Sequence, residues 1–200
     1  KNEWVSPDEI FSNDNKNFYK KSDPNEKIIV GPTESMSKSK KNTIDPEIII
    51  QEYGADAVRL FMLSDSPPEK DVQWSQEGIL ASYKFIQKFW VLNNKIKDNK
   101  KDFKSFNEEL EEFTNQIINK INFNLEKFRY NVLVANFHEI YNFFSKITEK
   151  EDWGKNFINN YLKILKIMNP VVPHLTSECI QRFNLETDIS WPEINKKYLN

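Results

Sequence analysis

The chain has 200 residues, of which 38% are hydrophobic and 14% aromatic, enough apolar material for the core of one or two domains. It contains no apolar run long enough for a membrane-spanning helix, and its first residues lack the pattern of a signal peptide. With 28 basic and 30 acidic residues the formal net charge is −2, so nucleic-acid binding would need a local basic face.

The first 33 residues predict short strands and turns. Brief apolar pieces such as Trp4-Val5, Ile10-Phe11 and residues 28–30 alternate with Asn, Asp, Pro and Ser, which favour turns. Because the sequence begins at Lys1 rather than at a methionine, we expect it to be a piece of a longer protein. Cys179 is the only cysteine, which excludes a disulfide framework and predicts a reducing, cytoplasmic location.

Helix signals begin at Asp45. This residue is a good N-cap, Pro46 falls at the first helical position, and Gly54 is placed to end the helix. A second short helix is predicted over residues 56–63, followed by an extended piece over residues 71–74.

Longer helices are predicted from Ser75 onward. Ser75 is placed to cap a helix with the apolar stripe Ile79, Tyr83, Ile86 and Trp90, and a lysine-rich break covers residues 97–104. Pro170 and Pro173 separate a last helix, residues 176–183, from three preceding ones. The apolar stripes of these three preceding helices are Leu110, Phe113, Ile117, Ile121, Leu125 and Phe128; Leu133, Phe137, Ile140, Phe144 and Ile147; and Phe157, Tyr161, Ile164 and Met168. Each stripe needs another helix to cover it. The sequence therefore predicts a mainly α fold, an antiparallel helical bundle preceded by a small α/β connecting unit and a short β-rich N-terminal segment.

Residues 31–49, GPTESMSKSKKNTIDPEII, place three lysines and three serines around one methionine. Serine and glycine allow backbone N–H groups to form an anion-binding concavity, and lysine adds a point charge suited to a phosphate. On these residues alone, a solvated linker, a localisation signal and a modification site stay open as alternatives.

A longer stretch, MSKSKKNTIDPEIIIQEYGADAVRLFMLSDSP, resembles the segment around the KMSKS signature of the class I aminoacyl-tRNA synthetases. The match begins with residues 36–39 and continues in order through Asn42, Asp45-Pro46, residues 53–56 and Arg59. The stretches NEWVSP, WSQEGILASYKFIQKFW and MNPVVPHLTSECIQRF resemble the leucine-specific members, the leucyl-tRNA synthetases. Valine- or isoleucine-specific enzymes are the alternative within the class, although these usually carry glycine just before the asparagine, where this chain has lysine.

This resemblance implies that the whole protein activates leucine with ATP, accompanied by Mg²⁺, and transfers it to tRNA(Leu). It also implies that Lys38 is the catalytic residue that meets the departing pyrophosphate, and it implies no protein-held metal. One position departs from the signature, because Ser35 replaces its first lysine; Lys40 or Lys41 is a candidate to compensate. The implied ATP-binding residues are Ser35, Met36, Ser37, Lys38 and Ser39.

The same resemblance divides the chain into three parts. Residues 1–33 would be a connecting segment specific to the leucine enzymes, 34–74 the signature loop with a connecting fold that lies against the tRNA, and 75–200 a helical anticodon-binding domain. For every candidate tRNA contact, a solvated helix face or loop is the alternative. The candidates are Lys84, Lys88, Lys95, Lys97, Lys100, Lys101 and Lys104.

The class also carries a HIGH-type His-x-Gly-His motif, whereas the two histidines here, His138 and His174, lie far apart. We therefore expect the nucleotide-binding half, the leucine pocket and any editing domain to lie before Lys1, and a small C-terminal domain after Asn200. The chain alone is expected to be inactive, monomeric and without a tightly bound cofactor. Outside the ligases, two alternatives stay open. A free-standing helical RNA-binding module would bind tRNA with a strong salt dependence, and a scaffold would not bind it.

Several chemistry-bearing residues fit structural roles instead. Arg59 could pair with Asp56 at a spacing of three, and Cys179 fits a small core residue. The acidic cluster of Glu108, Glu109, Glu111 and Glu112 lies where it would complement a helix dipole.

Overall fold

The computed structural model describes residues 3–14, 16–99, 101–184 and 190–199. The chain divides into two units, Lys1–Ile49 and Ile50–Asn200. The described residues contain a three-stranded sheet in the first unit and seven α-helices, of which the first crosses the boundary. This confirms the predicted mainly α fold with a β-rich start, while the division at residues 33 and 74 stays a prediction.

The sheet is antiparallel, in the order β1 (Ile10–Phe11), β2 (Phe18–Lys20) and β3 (Asp23–Ile28). Ile10 pairs with Lys20 and Phe18 with Ile28. Asp14 shapes the turn between β1 and β2, where its Oδ1 accepts hydrogen bonds from the N–H groups of Asn17 and Lys16 at 2.8 and 2.9 Å. These bonds hold the pKa of Asp14 well below its usual range.

The helices follow their predicted signals closely. Asp45 Oδ1 accepts from the Glu47 N–H at 2.9 Å and Ser75 Oγ from the Gly78 N–H at 3.1 Å, which confirms both N-caps. None of the described helices is long and apolar enough to cross a membrane. The helices are α1 (Pro46–Tyr53), α2 (Ala55–Ser64), α3 (Gln76–Asp98), α4 (Glu108–Glu126), α5 (Tyr130–Ile147), α6 (Phe157–Met168) and α7 (Pro173–Gln181).

Three details of the helix bounds and buried faces differ from the predictions. Phe128, predicted on the stripe of α4, lies beyond the end of that helix and is exposed. Helix α7 begins at Pro173 rather than at residue 176, because proline at the first helical position lacks only an N–H that needs no partner there. On α3 the buried line lies one position away from the predicted stripe, so that Tyr83, Ile86 and Trp90 are only half-buried. Both lines have helical spacing, and packing in the bundle selected one of them. The buried residues of α3 are Ile79, Ser82, Phe85, Phe89, Leu92, Asn93 and Ile96.

Aromatic rings fill the middle of the bundle. Phe144 on α5 is fully buried, and its ring centroid lies 5.5 Å from that of Phe157 and 5.4 Å from that of Tyr161, both on α6. The Tyr161 hydroxyl donates to Asn93 Oδ1 at 3.1 Å, which joins α6 to α3 by a buried hydrogen bond. Burial raises the pKa of Tyr161 well above its ordinary value, so this hydroxyl stays protonated.

Asp56 and Arg59 of α2 hold the corner between α6 and α7. Arg59 Nε and Nη2 donate to the carbonyl oxygens of Val171 and Pro170 at 2.9 and 2.7 Å. Asp56 Oδ2 accepts a hydrogen bond from the Leu175 N–H at 2.7 Å. This carboxylate therefore gives a partner to a backbone N–H in the first turn of α7 that has no acceptor within the helix. The two side chains therefore do not pair with each other as predicted, although the structural role expected for Arg59 is confirmed.

A polar network joins the N-terminal ends of α4 and α6. The Asn156 side chain exchanges two hydrogen bonds with the backbone of Asn107, both at 3.0 Å. Glu111 Oε2 accepts from Asn156 Nδ2 at 3.0 Å and from Asn160 Nδ2 at 2.7 Å. Desolvation alone would raise the pKa of Glu111, but these bonds and the charge of Lys163 bring it below its ordinary value. Glu111 thus fastens two helices, which the predicted dipole role did not anticipate.

Candidate functional site

The lysine–serine segment forms the loop between β3 and α1. Residues 32–37 belong to no helix or strand, and Lys38–Lys40 then form a single 3₁₀ turn. Lys41 ends the turn in the left-handed region, with φ 54° and ψ 26°. A lysine takes this conformation at a cost that glycine does not incur.

The side chain of Asn42 turns back onto the loop. Its Oδ1 accepts the Ser37 N–H at 2.7 Å, and its Nδ2 donates to the Ser35 carbonyl oxygen at 3.4 Å. The hydroxyls of Ser37 and Ser39 share a hydrogen bond at 2.8 Å. The predicted ATP-binding residues 35–39 are therefore held in one small turn.

The three lysines of the loop have different electrostatic surroundings. Lys40 forms an ion pair with Glu34, and its Nζ lies 5.9 Å from the centroid of the Trp4 ring. Lys38 and Lys41 are exposed, and within the described parts of the chain neither forms an ion pair. Lys38 and Lys41 therefore offer charges available to an anion, whereas Lys40 is already neutralised.

The backbone of the loop is less available to a phosphate than the sequence suggests. The Ser37 N–H is bound to Asn42, while those of Lys40 and Lys41 close the turn on the carbonyl oxygens of Ser37 and Lys38 at 3.1 and 3.2 Å. Three of the amides that could form an anion-binding concavity are thus used inside the loop. The charges of Lys38 and Lys41 and the serine hydroxyls remain as the groups suited to a phosphate.

A second candidate surface is an exposed basic stripe along α3. Lys84, Lys88 and Lys95 recur at spacings of four and seven, which places them on one side of the helix, and all three are exposed. Residues 78–97 contain four lysines and no acidic residue. In the described part of the structure none of the three forms an ion pair with a carboxylate. The stripe therefore has the local positive charge that phosphate contacts require, despite the net charge of −2.

Aromatic rings support the middle of this stripe. Lys88 Nζ lies 4.4 Å from the centroid of the Tyr141 ring on α5, a cation–π distance. His138, also on α5, packs against Phe85 with ring centroids 4.6 Å apart. Partial burial and the charge of Lys88 lower the pKa of His138, so the imidazole is neutral at pH 7.

The remaining candidates are distributed differently. Lys97 is half-buried near the end of α3, Lys101 and Lys104 are exposed in the following loop, and Lys100 lies outside the described residues. In the part of the chain that the structure describes, no group of three or more His, Cys, Asp or Glu side chains could hold a metal ion. Cys179 is buried, which raises the pKa of its thiol to about 12 and confirms its place in the core.

Sequence reasoning did not identify Asn42 as a site residue, although this residue fixes the loop. Its partner Ser37 is five positions away, and no helix or strand periodicity relates the two. The one sequence signal for Asn42 was its place in the motif that resembles the family. A motif position specifies which residue type occurs there but not which atoms that residue contacts.

Comparison with known proteins matches two parts of the chain, which lie on either side of the basic stripe on α3. The family model described as "tRNA synthetases class I (I, L, M and V)" matches residues 25–75, and the model described as "Anticodon-binding domain of tRNA ligase" matches residues 107–200. The first match contains the loop. The second begins at the N-cap of α4 and extends through α7.

Curated relatives match over most of the chain. A leucine–tRNA ligase of Orientia tsutsugamushi (strain Boryong) is 34% identical over 203 residues, which cover 100% of this chain and 24% of the relative. Another, from Rickettsia canadensis (strain McKiel), is 38% identical over 182 residues, covering 90% of this chain and 22% of the relative. The chain therefore spans about a quarter of the length of these relatives.

Among solved structures, the fold resembles that of the agnB2 LeuRS of Agrobacterium radiobacter K84, crystallised in a ternary complex with tRNA and LeuAMS. The TM-score is 0.69 at 20% sequence identity, and the match covers 82% of this chain and 23% of the other. Both curated relatives are leucine enzymes, which disfavours the valine and isoleucine alternatives. The chain belongs to the class I tRNA synthetase family and corresponds to the part of leucine–tRNA ligase that contains the anticodon-binding domain.

Proposed function

We propose that this chain works within a leucine–tRNA ligase, where it supplies the ATP-binding loop and the tRNA-binding helices. The observation that carries the proposal is the exposed charge of Lys38, which forms no ion pair among the described residues. It lies on a turn fixed by the loop's own side chains, in a segment that matches the class I family. A leucine-specific substrate is supported by the relatives at 34% and 38% identity.

The proposed reaction explains why a lysine is needed at this position. The carboxylate oxygen of leucine attacks the α-phosphorus of ATP, and the bond from that phosphorus to the bridging oxygen of pyrophosphate breaks. Negative charge grows on the departing pyrophosphate, so an ammonium group placed there stabilises the transition state more than the ground state. Lys38 is the group proposed for this role, and Mg²⁺ would accompany ATP as part of the substrate.

The test is the substitution Lys38→Ala in the full ligase that contains this chain. Loss of one such charge is expected to slow leucine-dependent ATP–pyrophosphate exchange by on the order of 10²- to 10³-fold. The dissociation constant for leucine should stay the same, because leucine does not contact this loop in the proposal. Lys27→Ala is the matched control, since it removes an exposed lysine from β3 of the same unit. An exchange rate unchanged by Lys38→Ala would refute the proposed role.

For tRNA binding we propose that the basic stripe of Lys84, Lys88 and Lys95 contacts the phosphate backbone. Each phosphate contact makes the fall of log affinity with log salt steeper by roughly one. Changing all three lysines to alanine should therefore weaken tRNA binding and reduce the steepness of that fall by up to about three. The control is Lys127→Ala combined with Lys146→Ala and Lys155→Ala, three exposed lysines outside α3. Equal losses in the two triple variants would argue against the stripe.

The chain is also proposed to be inactive alone, because its described residues contain no parallel sheet of a nucleotide-binding fold. Leucine-dependent pyrophosphate exchange by the purified 200-residue chain would contradict this.

A further inference from the structure

We propose that Asn42 is the positioning residue of the lysine–serine loop and that its carboxamide presets the turn from which Lys38 projects. The inference rests on the proposed function of Lys38, and it concerns a residue outside the predicted set of ATP contacts.

The first argument is the use of both ends of one carboxamide. Asn42 binds the backbone on the two sides of Met36, accepting from the Ser37 N–H at 2.7 Å and donating to the Ser35 carbonyl at 3.4 Å. An aspartate could reproduce the acceptor but not the donor, and alanine could reproduce neither. Asparagine is therefore the side chain that fits both contacts here.

The second argument is the backbone conformation that brings Asn42 into place. Lys41 has a positive φ of 54°, which lysine adopts only when surrounding contacts hold it. The described contacts of this loop that can do so are the two bonds of Asn42, the Glu34–Lys40 ion pair, the Ser37–Ser39 hydroxyl bond and the two backbone bonds that close the turn. The ion pair and the hydroxyl bond are exposed and contribute little. The backbone bonds join residues 37–41 to one another, so Asn42 is the contact that fastens this turn to Ser35.

The consequence for function is preorganisation. A turn that is already formed loses less conformational freedom when an anion binds, so more of the Lys38 interaction is available in the transition state. Because one hydrogen bond of ordinary net strength shifts a two-state population by about tenfold, Asn42→Ala should raise the open population of the loop about tenfold.

This population can be measured on the 200-residue chain without any enzyme assay. Limited trypsin digestion cleaves after Lys38 when the loop opens, and the residues flanking that bond are unchanged by substitution at position 42. Asn42→Ala should raise the cleavage rate about tenfold, and Asn42→Asp should raise it less because the acceptor remains. The matched control Asn25→Ala removes an exposed amide from β3 and should leave the rate unchanged.

In the full ligase, Asn42→Ala should lower kcat for pyrophosphate exchange about tenfold and leave the KM for leucine unchanged. Asn42→Asp should have a smaller effect on kcat, because its carboxylate still accepts the Ser37 N–H. A wild-type cleavage rate in Asn42→Ala would overturn the proposal, as would faster cleavage with an unchanged kcat. If the wild-type ligase shows no leucine-dependent exchange, the proposed function fails, and trypsin cleavage still decides whether Asn42 fixes the loop.

Discussion

The loop of residues 34–42 and the helical bundle of α3 to α7 are stabilised in opposite ways. The loop contains no fully buried side chain, and short polar contacts hold it. The bundle is held by side chains such as Phe144, which is fully buried among rings from α4 and α6. Substitutions in the loop should therefore change the reaction rate with little effect on the free energy of unfolding. Substitutions of buried side chains in the bundle should lower the free energy of unfolding instead.

The two regions also differ in whether their charged side chains are free to bind a ligand. Elsewhere on the helices, Asp56 of α2 and Glu111 of α4 accept hydrogen bonds from α7 and α6. In the loop, Lys38 and Lys41 are exposed and form no ion pair among the described residues, and the same holds for the basic stripe on α3. Partnered charges fix geometry, whereas exposed ones remain available to a ligand.

The largest expected effect on stability comes from the aromatic core. Phe144→Ala removes a fully buried ring and leaves a cavity between α5 and α6, so the free energy of unfolding should fall by about 4 kcal/mol. Urea unfolding followed by circular dichroism measures this. A loss below about 1 kcal/mol would mean that the core is looser than the structure indicates.

A smaller loss is expected at the α6–α7 corner. Asp56→Ala leaves the buried Leu175 N–H without its acceptor, which should cost about 2 kcal/mol in urea unfolding. His174→Ala is the control, because the 75% exposed His174 side chain makes the other contact of this carboxylate, from Nδ1 to Asp56 Oδ1 at 2.8 Å, and its removal leaves the Leu175 bond in place. If the two variants lose equal stability, the bond to Leu175 is not the one that matters.

The polar network should make stability depend on pH. Because the pKa of Glu111 is lowered on folding from its ordinary value of 4.5, its contribution is complete above pH 4.5 and disappears as pH falls through the lower folded value. Glu111→Gln should cost about 1 kcal/mol at pH 7, and the difference from wild type should shrink below pH 4. Urea unfolding from pH 3 to 7 tests this, and a constant difference would contradict it.

The smallest effect on stability is expected in the loop. Lys38→Ala removes an exposed side chain without an ion pair among the described residues, so the free energy of unfolding should change by less than about 0.5 kcal/mol. A loss of 2 kcal/mol would place Lys38 among the structural residues and weaken its proposed role in catalysis.

Much of the fold could be predicted because its signals are local. Asp45 and Ser75 cap helices through backbone groups two or three residues away, and the stripes on α4 to α6 need only the helical period. The phase of α3 could not be predicted from the period alone, since two neighbouring lines of apolar residues have the same spacing. The partners of Asp56 and Arg59 lie more than 100 positions away in sequence, beyond any local pattern.

For this protein the sequence by itself determined which segments are helical, which family the loop resembles and which lysines are candidates for anions, because residue type and short-range spacing decide these properties. The tertiary structure decided which of those charges are neutralised and which remain exposed. It also decided that one asparagine folds back on the loop and that the α2 side chains hold a distant corner. These properties depend on where the backbone brings remote groups together, and no short-range pattern in the sequence encodes that placement.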